Sequence, residues 1–186
     1  MTSIIKADRV QSTSNGFVLP PAGGIIQTQY LQYTSTTSTA CANNTNVSLD
    51  HLVVNITPIS SSSIIRIDAM VNGEWSSQTS SYNSTWFFYR GSTKLSHPAA
   101  ASRNVGVLMG TALTYESSEG GSTPELAYYT YFDTPSTTSQ TTYKVGVNQG
   151  SGGSSTWYTN RSVVDTSSDY QYERGTSFIS VTEIAG

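Results

Sequence analysis

TTYKVGVNQG (141–150), STWYTNRSVVDT (155–166) and YERGTSFISVTEIAG (172–186) close the chain and decide its fold class. In the first stretch Tyr143, Val145 and Val147 alternate with Lys144, Gly146 and Asn148. A period of two sends alternate side chains to opposite faces, so this stretch is a half-buried antiparallel strand. The other two are short runs of β-branched and aromatic residues parted by Gly/Ser turns, the composition of further strands.

The same pattern extends backwards. IIQTQYLQY (25–33) alternates apolar and polar residues, and LVVNITP (52–58) puts Leu52, Val54 and Ile56 on one face. After a serine turn at 60–63, SIIRIDAMV (63–71) sets Ile65, Ile67, Ala69 and Val71 opposite Arg66 and Asp68. STWFFYR (84–90) is aromatic on both faces and is expected to be covered on both. Gly91-Ser92-Thr93 is expected to turn a hairpin back through Lys94 and Leu95. The run 105–109 is apolar but of ambiguous type, and ELAYYTYFD (125–133) is a strong strand. No segment combines a 3.6-residue period with helix caps, so almost no helix is expected. About ten short strands without a βαβ rhythm predict an all-β antiparallel sandwich, jelly roll or barrel.

The chain has 186 residues, enough for one domain with a core of its own. Pro20-Pro21 and Gly23-Gly24 punctuate it early and predict a boundary, with a short extended segment at 1–24 and the main domain at 25–186. Charged residues are 11%, against about a quarter in ordinary domains. Ser (31) and Thr (26) fill that gap, giving a hydroxyl-rich surface. Twelve Tyr, five Phe and three Trp supply the burial that a disordered chain lacks. The net charge of −3, with no basic block, argues against nucleic-acid binding. No apolar run approaches a membrane span, so no membrane insertion is expected. Residues 1–10 lack the apolar core of a secretion signal, which fits synthesis in a reducing cytoplasm. The single Cys41 cannot form an intrachain disulfide and reads as a small buried apolar residue. Five N-x-S/T sequons, at Asn43, Asn46, Asn55, Asn83 and Asn160, are the chance product of ten Asn in a Ser/Thr-rich chain.

Candidate chemistry is sparse. His51 and His97 stand apart, each without neighbouring ligands, so neither suggests a metal site. No G-x-S-x-G elbow marks a nucleophile. Glu116 and Glu119 flank a Gly-rich loop, a poor frame for a glycosidase pair. Asp165 and Asp169 bracket a turn that offers oxygens to Ca²⁺, but the pattern fits a solvated turn better. No cofactor and no catalysis are therefore expected. Aromatic residues carry the binding signal, since their faces stack on sugar rings. Trp157, Tyr158, Tyr170 and Tyr172 are the candidate glycan contacts. Alternation sends Trp157 and Tyr158 to opposite faces, so one of the two is expected in the core or a subunit interface.

DTPSTTSQTTYKVGV (133–147), WYTNRS (157–162), ERGTSFISVTEIA (173–185) and the FYRGSTKL hairpin (88–95) together resemble small virion structural and tail-fibre proteins of phages of aquatic bacteria, cyanobacteria included. SIIKADRVQSTSNG (3–16) is similar to the head segment of many phage fibres. The resemblance spans nearly the whole chain. It implies a homotrimer on the virion, with a jelly-roll C-terminal domain of complement and tumour-necrosis-factor type. The expected function is a non-enzymatic short tail fibre contributing to host-surface attachment, with a host glycan as its partner. A capsid decoration or head-fibre protein is the alternative, and a glycan depolymerase fits less well. Segment 1–24 is expected to be the virion anchor, contacting other virion proteins through Ile4, Ile5, Val10, Phe17 and Leu19.

Overall fold

The computed structural model describes residues 20–113, 121–167, 170 and 172–186. The expected anchor residues Ile4, Ile5, Val10, Phe17 and Leu19 lie outside the described residues, as do Glu116, Glu119 and Asp169. In chain order the elements are β1 (Ile25–Tyr33), β2 (Thr37–Cys41), β3 (Val47–Ile56), β4 (Ile64–Trp75), α1 (Gln78–Tyr82), β5 (Ser84–Arg90), β6 (Thr93–Leu95), β7 (Leu108–Met109), β8 (Ala112–Leu113), β9 (Glu125–Asp133), β10 (Thr141–Gln149), β11 (Ser155–Thr159) and β12 (Ser177–Ile184).

These strands form two antiparallel sheets. The five-stranded sheet runs β3-β10-β5-β6, with β7 also on β5. The seven-stranded sheet is organised around the long β4. One edge of β4 carries β12 along 64–70 and then β11 along 73–75, and its other edge carries β9 along 65–73. β1 lies outside β12, β2 outside β11, and β8 outside β9. The chain thus winds β1-β12-β4-β9 over β3-β10-β5-β6, crossing between sheets as it goes. That is the winding of an antiparallel jelly-roll sandwich.

Alternation dictates which side chains fill the space between the sheets. β4 contributes Ile65, Ile67, Ala69 and Val71, and β12 contributes Ile179 and Val181, all fully enclosed. β10 opposes them with Tyr143, Val145 and Val147, again fully enclosed. β3 bulges between two registers: Lys144 pairs with Val53, but Val145 pairs with Leu49. The bulge lets Leu49 and Leu52, three residues apart, both reach the core. Trp75, Trp86 and Trp157 meet at one end of it, with Trp157 edge-on to both others at 5.4 and 5.0 Å between centroids. Burying each such aromatic contributes about 2–3 kcal/mol. The Tyr129 hydroxyl keeps a partner by donating to the Phe87 carbonyl at 3.1 Å.

β4 runs straight through Asn72-Gly73, a dipeptide more usual in turns. A Cβ on Gly73 would lie 2.2 Å from the Tyr158 carbonyl oxygen, so only glycine lets β11 approach here. At the other end of the sheet the Gly23 N–H donates to the Ala185 carbonyl at 2.7 Å, and the Ala185 N–H donates to the Gly24 carbonyl at 2.9 Å. The last residues of the segment assigned to the anchor are therefore hydrogen-bonded into the sandwich, rather than forming a loose joint before it.

Candidate functional site

Trp157, expected as a candidate glycan contact, is fully buried. Register explains it: Trp157 pairs with Trp75 of β4, which fixes its ring on the inner face, and Tyr158 pairs with Glu74 on the outer one. Trp157 is thus a core residue, closed to any ligand. Tyr158 is half-buried, with the Arg161 guanidinium 4.1 Å from its ring centroid. That guanidinium also donates to the Ser162 and Val163 carbonyls and to Ser38 Oγ. Tyr170 is 93% exposed and Tyr172 half-buried.

The other polar candidates are engaged locally. Asp165 accepts from Arg174 through both carboxylate oxygens, at 2.8 and 2.9 Å from Nη2, so its negative charge is met by an arginine. No group of three metal-ligating side chains occurs among the described residues. His97 Nδ1 lies 2.7 Å from the Pro98 carbonyl. His51 reaches from the β3 bulge to the other sheet, with Nε2 3.0 Å from Thr159 Oγ1 and its ring 4.8 Å from that of Tyr33. Burial holds its pKa below the ordinary 6.5, against the opposing pull of Asp50.

Several buried carboxylates pin loops. Glu183 is enclosed and accepts from the Ile59 N–H at 2.7 Å, Ser63 Oγ at 2.7 Å and Gln27 Nε2 at 2.6 Å. Burial alone would raise its pKa, but these donors outweigh it and hold the group below 4.5. Glu74 likewise accepts from the Thr123 N–H at 3.0 Å and the Val163 N–H at 2.6 Å.

The surface that the fold assembles most clearly is the outer face of β1, β12, β4 and β9. The register aligns Gln32, Phe178, Met70 and Tyr128 in one row across the four strands. Tyr30, Ser180, Asp68 and Thr130 form the next, and Thr28, Thr182, Arg66 and Phe132 the third. At strand spacing the face is about 15 Å wide. Its large side chains stand out from it: Tyr30 is 74% exposed, Tyr128 56% and Phe132 59%. The central carboxylate is neutralised within the face. Asp68 accepts from Arg66 Nη2 at 2.9 Å and from Thr130 Oγ1 at 2.6 Å, and is only 8% exposed. The result is an aromatic surface with its one acid already paired. The sequence carried the signal in ELAYYTYFD, where Leu126, Tyr128 and Phe132 make the outward side of β9 as apolar as the inward side. A strand apolar on both sides is normally covered on both.

No family model and no curated protein matches the sequence.

Proposed function

We propose that this chain is a non-enzymatic phage virion protein, the head of a short fibre that assembles as a homotrimer through the outer face of β1, β12, β4 and β9. The observation that carries this reading is the aromatic face itself. Exposed aromatic side chains on the two flanking strands, β1 and β9, on either side of a carboxylate that is already paired, form a surface fit to be covered. Three copies turned about a three-fold axis bring this face to the centre of a closed ring, each packing one side of it against the next copy, so that no new partner is needed. The resemblance of 133–147, 157–162 and 173–185 to virion fibre proteins favours three copies and a place on the particle. The fold is compatible with many functions and adds no preference of its own.

Light scattering on the purified chain tests the assembly. The expected mass is three times the 20.0 kDa of one chain, and Tyr128→Arg combined with Phe132→Arg should reduce it to one. A monomer at micromolar concentration overturns the trimer. Imaging of virions carrying a labelled chain tests the location, with signal at the tail expected for a fibre and signal over the shell pointing to decoration.

A further inference from the structure

The two flanks of the outer face of β1, β12, β4 and β9 are complementary in shape, row by row. On β1 the outward side chains run Thr28, Tyr30, Gln32, one ring between two ringless neighbours. On β9 the order is reversed: Phe132, Thr130, Tyr128, a ringless residue between two rings. Register across β12 and β4 puts these residues on three shared levels, Thr28 with Phe132, Tyr30 with Thr130, and Gln32 with Tyr128. Each level therefore carries one flanking ring, and successive levels carry it on opposite flanks.

The flanks are also open. Among the described residues β1 pairs only with β12, and β9 pairs with β8 only at Leu126 and Glu125, so no further strand lies beside residues 28–32 or 128–132. At about 3.4 Å per residue, Tyr128 and Phe132 stand about 14 Å apart along β9, which leaves room for one aromatic ring between them. The floor of that notch makes no polar demand. Thr130 Oγ1 already donates to Asp68 at 2.6 Å, and Asp68 also accepts from Arg66 at 2.9 Å. Tyr30, with 74% of its surface exposed, is a ring of the type that anchors interfaces once it is enclosed.

A rotation about an axis parallel to the strands keeps every residue at its own level. It brings the β1 flank of one copy to the β9 flank of the next, so each ring meets a ringless residue. A two-fold axis across the strands instead sets β1 on β1, with Tyr30 against its own copy and nothing interlocked. We propose that Tyr30 of one copy seats over Thr130 of the next, between Tyr128 and Phe132, and that the assembly axis runs along the strands. This contact rests on the reading of the face as the assembly surface, and it adds a direction to that reading. All copies point the same way, so residues 20–24, which join Ala185 just before β1, lie at one common end of the assembly. Chains that enter from one end suit a single stalk.

The test pairs cysteines across the contact. Within one chain positions 30 and 130 lie on opposite flanks about 15 Å apart, too far for a disulfide. The native Cys41 is enclosed. Tyr30→Cys combined with Thr130→Cys should give covalent dimers and trimers on oxidation. Thr28→Cys combined with Gln32→Cys, which keeps every ring, should give none. Cross-linking by that second pair would put the axis across the strands and overturn the proposal, because Thr28 would then face Gln32 of the other copy. Exchanging the sizes reads the same contact without cysteine. Thr130→Tyr fills the notch and should weaken association at least about tenfold, and adding Tyr30→Thr should restore most of it, with circular dichroism confirming the fold of each variant. Additive losses in the double variant would overturn the interlock. A monomeric native chain refutes the assembly and this contact with it; a native trimer that fails both the cross-link and the exchange refutes the contact alone.

Discussion

Arg90 on β5 reaches across the sandwich to Asp133 at the end of β9, its Nη1 lying 2.8 and 3.0 Å from the two carboxylate oxygens. The Tyr143 hydroxyl, from β10, donates to the same carboxylate at 2.7 Å. Burial and that carboxylate together push the Tyr143 phenol pKa well above its ordinary value. The Asp133 side chain is 7% exposed and that of Arg90 31%, so this clasp between the sheets is largely withdrawn from water. Asp133→Ala would strand both a guanidinium and a phenol, and should cost about 2–4 kcal/mol. Urea denaturation reads the loss. A change below about 1 kcal/mol would mean that water replaces the carboxylate without penalty.

His51 makes stability depend on pH in one direction. Burial, the larger influence, lowers its pKa in the folded chain, while Asp50 works against that lowering. Around it stand Tyr33 of β1 and Thr159 of β11, and the neighbouring Asp50 is paired with Lys144 at 2.8 Å. The unfolded chain binds a proton near the ordinary 6.5 and the folded chain only at lower pH. The histidine's contribution is therefore complete above that value and lost as pH falls through it toward the folded pKa. The urea midpoint should drop between about pH 7 and pH 5, and His51→Gln should flatten that part of the profile. Glu183 contributes a separate loss at lower pH, because its folded pKa lies below 4.5. An unchanged slope in His51→Gln would assign the dependence elsewhere.

Cys41 is fully enclosed, and burial pushes its thiol pKa up to about 12. Thiolate is the reactive form, so native chain should resist alkylation. Labelling should proceed at the rate of opening and accelerate with denaturant in step with unfolding. Rapid stoichiometric labelling in native buffer would place the end of β2 among the locally opening parts of the fold.

Alternation alone located the inner faces of β4 and β10, because Ile65, Ile67 and Ala69, and Tyr143, Val145 and Val147, repeat at a clean period of two. It failed where pairing overrides local pattern. TSTAC is too polar to announce a strand and becomes β2 only because β11 offers it a ladder. The first half of β3 was hidden because its bulge at residues 50–52 breaks the alternation on which recognition depends. β4 was read as ending at Val71, since Asn72-Gly73 looks like a turn until the approaching β11 carbonyl is known. The choice between Trp157 and Tyr158 was undecidable in one dimension. The partner Trp75 settles it, and that partner lies 82 positions away in the chain.

The boundary of the N-terminal segment can be resolved by two truncations. Gly23 and Gly24 exchange hydrogen bonds with Ala185, and Gly24 N–H also closes a turn on the Pro21 carbonyl at 2.8 Å. A Cβ on Gly24 would sit 2.5 Å from the Pro20 ring, so residues 20–24 fold back on themselves just before β1. From Ile25 the pairing continues directly, opposite Ile184 of β12. Removing residues 1–19 leaves all of these contacts in place and should not move the urea midpoint. Removing 1–24 deletes the two bonds to Ala185 and frees the C-terminal end of β12, which should cost about 1–2 kcal/mol. If 1–19 is the attachment segment, both truncations lose incorporation into particles, but only the longer one loses stability. Equal stability of the two would show that the sandwich begins at β1. A loss already present without 1–19 would show that the earlier segment belongs to the folded unit.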